Sequence, residues 1–205
     1  MPSNALASFE LRLKEIQQLL EAHTALLRFH RATTAAGNIG AGLANIARVV
    51  EHLVSTPGPG RPPQVQALNK AAIALLSSHL QGFITDLYKE AATRLLAGHV
   101  CDPQTLIDVA PTRGNPNKDN ITKLFATLGF PDILAGISWQ RCSNERMLER
   151  LKAFNELRNR IVHGTSISIG KPQVEGYLSS WTALAERLDA KLRTEIINVT
   201  GIPPW

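Results

Sequence analysis

The chain has 205 residues, enough for one large domain with a real core or for two small ones. Hydrophobic residues make up 44% and aromatics only 5%, with Ala and Leu dominant, which favours helices packed on helices over sheet. The net charge of +5 is compatible with a polyanionic partner and far below the charge density of a histone-like chain.

Met1-Pro2-Ser3-Asn4 leads into charged amphipathic sequence rather than a signal peptide, and no apolar run approaches the roughly 18 residues of a membrane span. A soluble cytoplasmic protein with no membrane partner is the expectation. From Ser3 to about Arg31, Leu6, Phe9, Leu13, Ile16, Leu20 and Leu27 recur at helical spacing and predict one long helix. Ala35 to Gly42 is small and glycine-rich. A phosphate loop is excluded there, because no strand precedes it and no Gly-Lys-Ser/Thr follows, so the stretch reads as a hinge. A second helix is predicted from about Leu43 to Val54, ended by the breaker Ser55 to Pro63.

A third helix, roughly Gln64 to Ala97, carries Ile73, Leu76, Leu80, Phe83 and Leu87 as its inner stripe. It reads as a central pillar, with a kink at Gly82 and a stop at Gly98. His79 and Asp86 flank the stripe. They are either half-exposed flank positions or supports for a site elsewhere. His99, Cys101 and Asp102 are metal-ligand types without a matching second cluster, and with Cys142 the only other cysteine neither a disulfide framework nor a zinc site is indicated. Cys101 to Asn117 reads as loop. Asn120 to Leu128 is a short helix stopped by Gly129, and Pro131 opens a brief turn. Ser143 caps the next helix, with Glu145 in its first turn. Gly164 ends that helix, Thr165 to Ile169 alternates like an extended stretch, and a long last helix starts near Pro172. The tail Gly201 to Trp205 is non-helical.

The informative element is the helix ending in Glu156-Leu157-Arg158-Asn159-Arg160-Ile161-Val162-His163-Gly164. At about 100° per residue, with Leu151 at zero, Met147, Phe154, Ile161 and Val162 fall within roughly 80° of it, and Arg158 lands among them at about −20°. A guanidinium there is costly to bury unpaired, so a partner is expected. Asn155, Asn159 and His163 form a second line at i, i+4, i+8. One helix thus offers a permanent cation, two amides and the one side-chain type that ordinarily titrates near neutrality.

A phosphate-binding Arg158 and a proton-transferring His163, without a metal cluster or other cofactor, suit RNA cleavage by the RNA's own 2′-hydroxyl. Such a step wants both a proton acceptor and a donor, and a two-fold dimer pairing these helices would supply two of each residue. Spacing alone leaves a second reading open, in which Arg158 is a salt-bridged core residue and His163 an ordinary helix cap.

Leu157 to Gly164 resembles the Arg-(x4–6)-His motif of the HEPN superfamily, including the frequent Asn after the Arg. Ser77 to Leu87 and Asn120 to Phe130 resemble its RiboL-PSP-HEPN branch. The likeness covers roughly residues 65 to 195, and the first 55 match less specifically. It implies an all-α bundle, dimerisation along the motif helices, and metal-independent endoribonuclease activity; one domain over residues 1–205 is expected, with its core at about 65–195 and the helices of 3–55 as an extension or as its first helices. Arg158 and His163 would be the catalytic pair and Asn159 a supporting residue, with Asn155, His79 and Asp86 as further candidates. Many relatives act in toxin–antitoxin, antiviral-defence or RNA-processing systems, which implies an RNA substrate and an antitoxin or regulatory partner. Relatives often carry an acidic residue where this chain has Gln81. Some serve as non-catalytic dimerisation or binding modules, the alternative to a nuclease; a plain helical scaffold is a third reading.

Overall fold

The computed structural model describes residues 1–36, 63–97, 102–111 and 114–205. Most of the glycine-rich stretch, the predicted second helix, most of the breaker, Gly98 and the His99 to Cys101 segment lie outside them. The described residues form six helices and no strands: α1 (Asn4–Ala36), α2 (Pro63–Leu95), α3 (Pro103–Val109), α4 (Lys118–Ala126), α5 (Asn144–Val162) and α6 (Lys171–Thr200). The all-α expectation holds.

α2 is the pillar, packing against α1, α3, α4, α5 and α6. Its predicted stripe is fully enclosed, with Ile73, Leu76, Leu80, Phe83 and Leu87 at 0% exposure. The helix runs unbroken through Gly82, and the glycine serves close approach instead: a Cβ there would stand 2.6 Å from Nη1 of Arg12 on α1. α1 has no acidic residue in its own first turn. Its N-terminus is held by carboxylates from elsewhere. Glu90 of α2 accepts from the Asn4 and Ala5 amides at 3.3 and 3.1 Å, and Asp189 of α6 accepts from the Ser3 amide at 3.3 Å. Negative charge at that end suits the helix dipole.

α5 is anchored through its first half. Ser143 caps it by accepting from the Arg146 amide, and Met147, Leu151 and Phe154 are fully buried. Phe154 packs on Tyr177 and Trp181 of α6, at 4.9 and 5.1 Å between ring centroids. α3 departs from the expected loop. Asp102 caps it through the Gln104 amide, and Pro103 opens its first turn.

Candidate functional site

The last two turns of α5 leave the core. Leu157, Arg158, Asn159 and Ile161 are half-buried, Arg160 and His163 are exposed, and Val162 is 55% exposed. The apolar stripe therefore has the predicted phase, but the bundle encloses it fully only as far as Phe154, with Leu157 and Ile161 partly buried against the core.

The helix ends as its sequence predicts. His163 is the cap residue, and Gly164 follows with φ +74°. The Gly164 amide donates to the Ile161 carbonyl at 3.1 Å and the Thr165 amide to the Arg160 carbonyl at 2.9 Å. This pair of bonds is the Schellman closure, which glycine favours because it alone takes positive φ freely. The closure places His163 at a defined point on the molecular surface. Beyond it, Ile169 is tied down from α2: its amide donates to Gln66 Oε1 at 2.9 Å and its carbonyl accepts from Asn69 Nδ2 at 2.6 Å.

The expected partner of Arg158 is not a carboxylate. Its Nη1 donates at 3.3 Å to Oδ1 of the adjacent Asn159, and among the described residues the ion pairs are Arg12–Asp86, His79–Glu15 and Lys171–Glu175. Among the described residues no carboxylate pairs with Arg158. A neutral amide can orient a guanidinium without cancelling its charge.

Asn155 and Asn159 both turn toward the loop before α4. Asn155 is buried, and its Nδ2 donates to the Pro116 carbonyl at 3.2 Å and to the Leu151 carbonyl at 2.8 Å. Asn159 Oδ1 accepts from Asn115 Nδ2 at 2.8 Å. Asn115 escaped the sequence reading, where it lay in a stretch read only as loop. Its own carbonyl accepts from Asn120 Nδ2 and from the Asn117 amide, both at 2.8 Å, and Asn117 caps α4. Gly114 (φ +115°) lets the loop close on Asn120, whose Nδ2 would lie 2.7 Å from an added Cβ. Gln81 and Thr85 of α2 border the same loop, lining a small cleft with Asn115 and Asn120.

His79 and Asp86 do not join this group. His79 Nε2 lies 3.2 Å from Glu15 Oε2, and Asp86 accepts from Arg12 Nη2 at 3.0 Å, so both serve the α1–α2 seam. Helical phase explains it: His79 and Gln81 point about 160° apart around α2. The expectation that His79 and Asp86 hold the Arg158 region is corrected accordingly.

Within one chain Arg158 and His163 make no hydrogen bond to each other, and five residues of helix set them about 140° apart around the axis. Among the described residues no group of three or more His, Cys, Asp or Glu is placed to hold a metal ion, and no helix is long and apolar enough to cross a membrane. No curated protein and no solved structure matches the chain. A family model does. Residues 100–194, which take in α3, α4, α5 and most of α6, match the family described as RiboL-PSP-HEPN, a likeness that supports HEPN superfamily membership and that takes in both the asparagine-braced Arg158 and the surface His163.

Proposed function

We propose that this chain is a metal-independent endoribonuclease of HEPN type. The observation that carries the reading is the state of Arg158: a half-buried guanidinium, held by an amide and, among the described residues, by no carboxylate, on the same helix end as an exposed histidine. Its charge is left for an anion. In the reaction the RNA 2′-hydroxyl attacks the adjacent phosphorus, its proton passes to a base, the bond to the 5′-oxygen breaks, and that oxygen receives a proton. The products are a 2′,3′-cyclic phosphate and a 5′-hydroxyl. His163 serves as base or acid, and Arg158 offsets the added charge on the phosphorane-like transition state.

A single chain faces Arg158 and His163 in different directions, so one copy makes an incomplete site. A two-fold pair of α5 ends would assemble two of each around one cleft, and would cover Ile161 and Val162. An RNA target in a toxin–antitoxin or antiviral setting, with a regulatory partner protein, fits this chemistry.

The test is cleavage of single-stranded RNA in EDTA, with the product ends identified. His163→Ala and Arg158→Ala should each abolish cutting while leaving the thermal midpoint in place, and DNA should survive. Cutting that persists in both variants would remove the proposal. RNA bound tightly but left intact would identify a binding module. A strictly monomeric mass at micromolar concentration would rule out the shared cleft.

A further inference from the structure

The acceptor that holds Arg158 is itself held. Asn159 Oδ1 takes two donors, Arg158 Nη1 at 3.3 Å and Asn115 Nδ2 at 2.8 Å. An amide has one acceptor edge and one donor edge, and rotation by half a turn exchanges them. With its NH2 turned inward, Asn159 would face the guanidinium with a second donor. The shorter bond from Asn115 favours the orientation seen, since only the Oδ1 edge can receive both donors. Asn115 can impose that choice because its loop is fixed on three sides: by Asn120 on its carbonyl, by Asn117 at the α4 cap, and by Asn155 on the next carbonyl.

We propose that Asn115 is a positioning residue, which sets the amide of Asn159 and through it the guanidinium of Arg158. Its place in catalysis rests on the nuclease reading above; its effect on Arg158 does not. A carboxylate at Asn159 would grip the arginine harder but neutralise it. Two amides in series orient the cation and leave its charge whole.

Two measurements on the full chain decide the matter. The first is the backbone-independent order of Arg158, read from 15N relaxation of its Nε–Hε group in the free protein. The second is RNA cleavage in EDTA, with kcat and KM determined separately for Asn115→Ala, Asn159→Ala and the double variant. Asn115→Ala should loosen the guanidinium and lower kcat by about 10- to 100-fold, the scale of a misplaced catalytic group, with KM little changed. The double variant should be no worse than Asn159→Ala, because residues acting in series do not add. Additive losses, or an Arg158 as ordered in Asn115→Ala as in the wild type, would overturn the proposal. Asn115→Asp, nearly isosteric, keeps the test open if the alanine variant does not fold. It offers an acceptor where Nδ2 stood, so it should turn the Asn159 amide and perform like Asn115→Ala; wild-type behaviour would refute the relay. If the wild type cuts no RNA, the nuclease reading falls, while the Arg158 relaxation in these same variants still decides the relay.

Discussion

Arg158 has a neutral partner where a structural arginine would have a carboxylate. Half-burial of an ion without an opposite charge costs stability, so its removal should not harm the fold. Arg158→Leu is expected to leave the thermal midpoint unchanged or raise stability by about 0.5–1 kcal/mol, while RNA cleavage is lost. A marked fall in the denaturant midpoint would show that the guanidinium is structural after all. Arg158→Lys keeps the charge but not the planar fork, and should lose most of the activity. The phase of Arg158 was legible in the sequence, because helical spacing fixes direction. What lies opposite it was not. Asn115 is 44 residues from Asn159 in the chain, and nothing local to either one announces the bond between them.

Most helices could be read from periodicity and caps. α5 illustrates why: Ser143 and Gly164 mark its two ends by distinct local chemistry, and the structure uses both. α3 was missed although Asp102-Pro103 is a cap followed by a first-turn proline, because seven residues with none buried give no periodic signal. The Schellman closure makes a prediction of its own. Gly164 has φ +74° and open space where a Cβ would go, so Gly164→Ala costs only backbone strain. Its expected penalty is about 1–2 kcal/mol in denaturant unfolding, and Gly164→Asn should cost less, since Asn visits this conformation more readily. Equal stability of wild type and Gly164→Ala would mean the closure contributes nothing.

Across the whole bundle, α2 was legible as the pillar, while the brace at the start of α1 was not, because Glu90 and Asp189 come from distant helices. Asp189 is buried against Ser3, and burial pushes its carboxyl above the usual value of 3.8, the Ser3 hydrogen bonds opposing that push. The folded protein therefore holds this proton more tightly than the unfolded chain does. Stability from the group is fully present below pH 3.8 and is lost as pH rises through the raised value. Asp189→Asn keeps an acceptor for Ser3 without the charge. Its thermal midpoint should fall less than that of the wild type as pH rises through this window; parallel curves for the two proteins would refute the assignment.

α5 is pinned by buried side chains as far as Asn155, and beyond it is held only by partly buried contacts and by the Asn115–Asn159 bond up to its glycine stop. It therefore works as a geared shaft, whose tooth count between Phe154 and Arg158 sets where the cation points. One residue inserted there would turn everything beyond it by about 100° and advance it about 1.5 Å. Arg158 and Asn159 would swing together away from Asn115 with every side chain of the motif still present. Four inserted residues would bring the bearing back to within about 40° but carry the tip about 6 Å outward. A length change in that one turn should therefore disable the site as fully as Arg158→Ala.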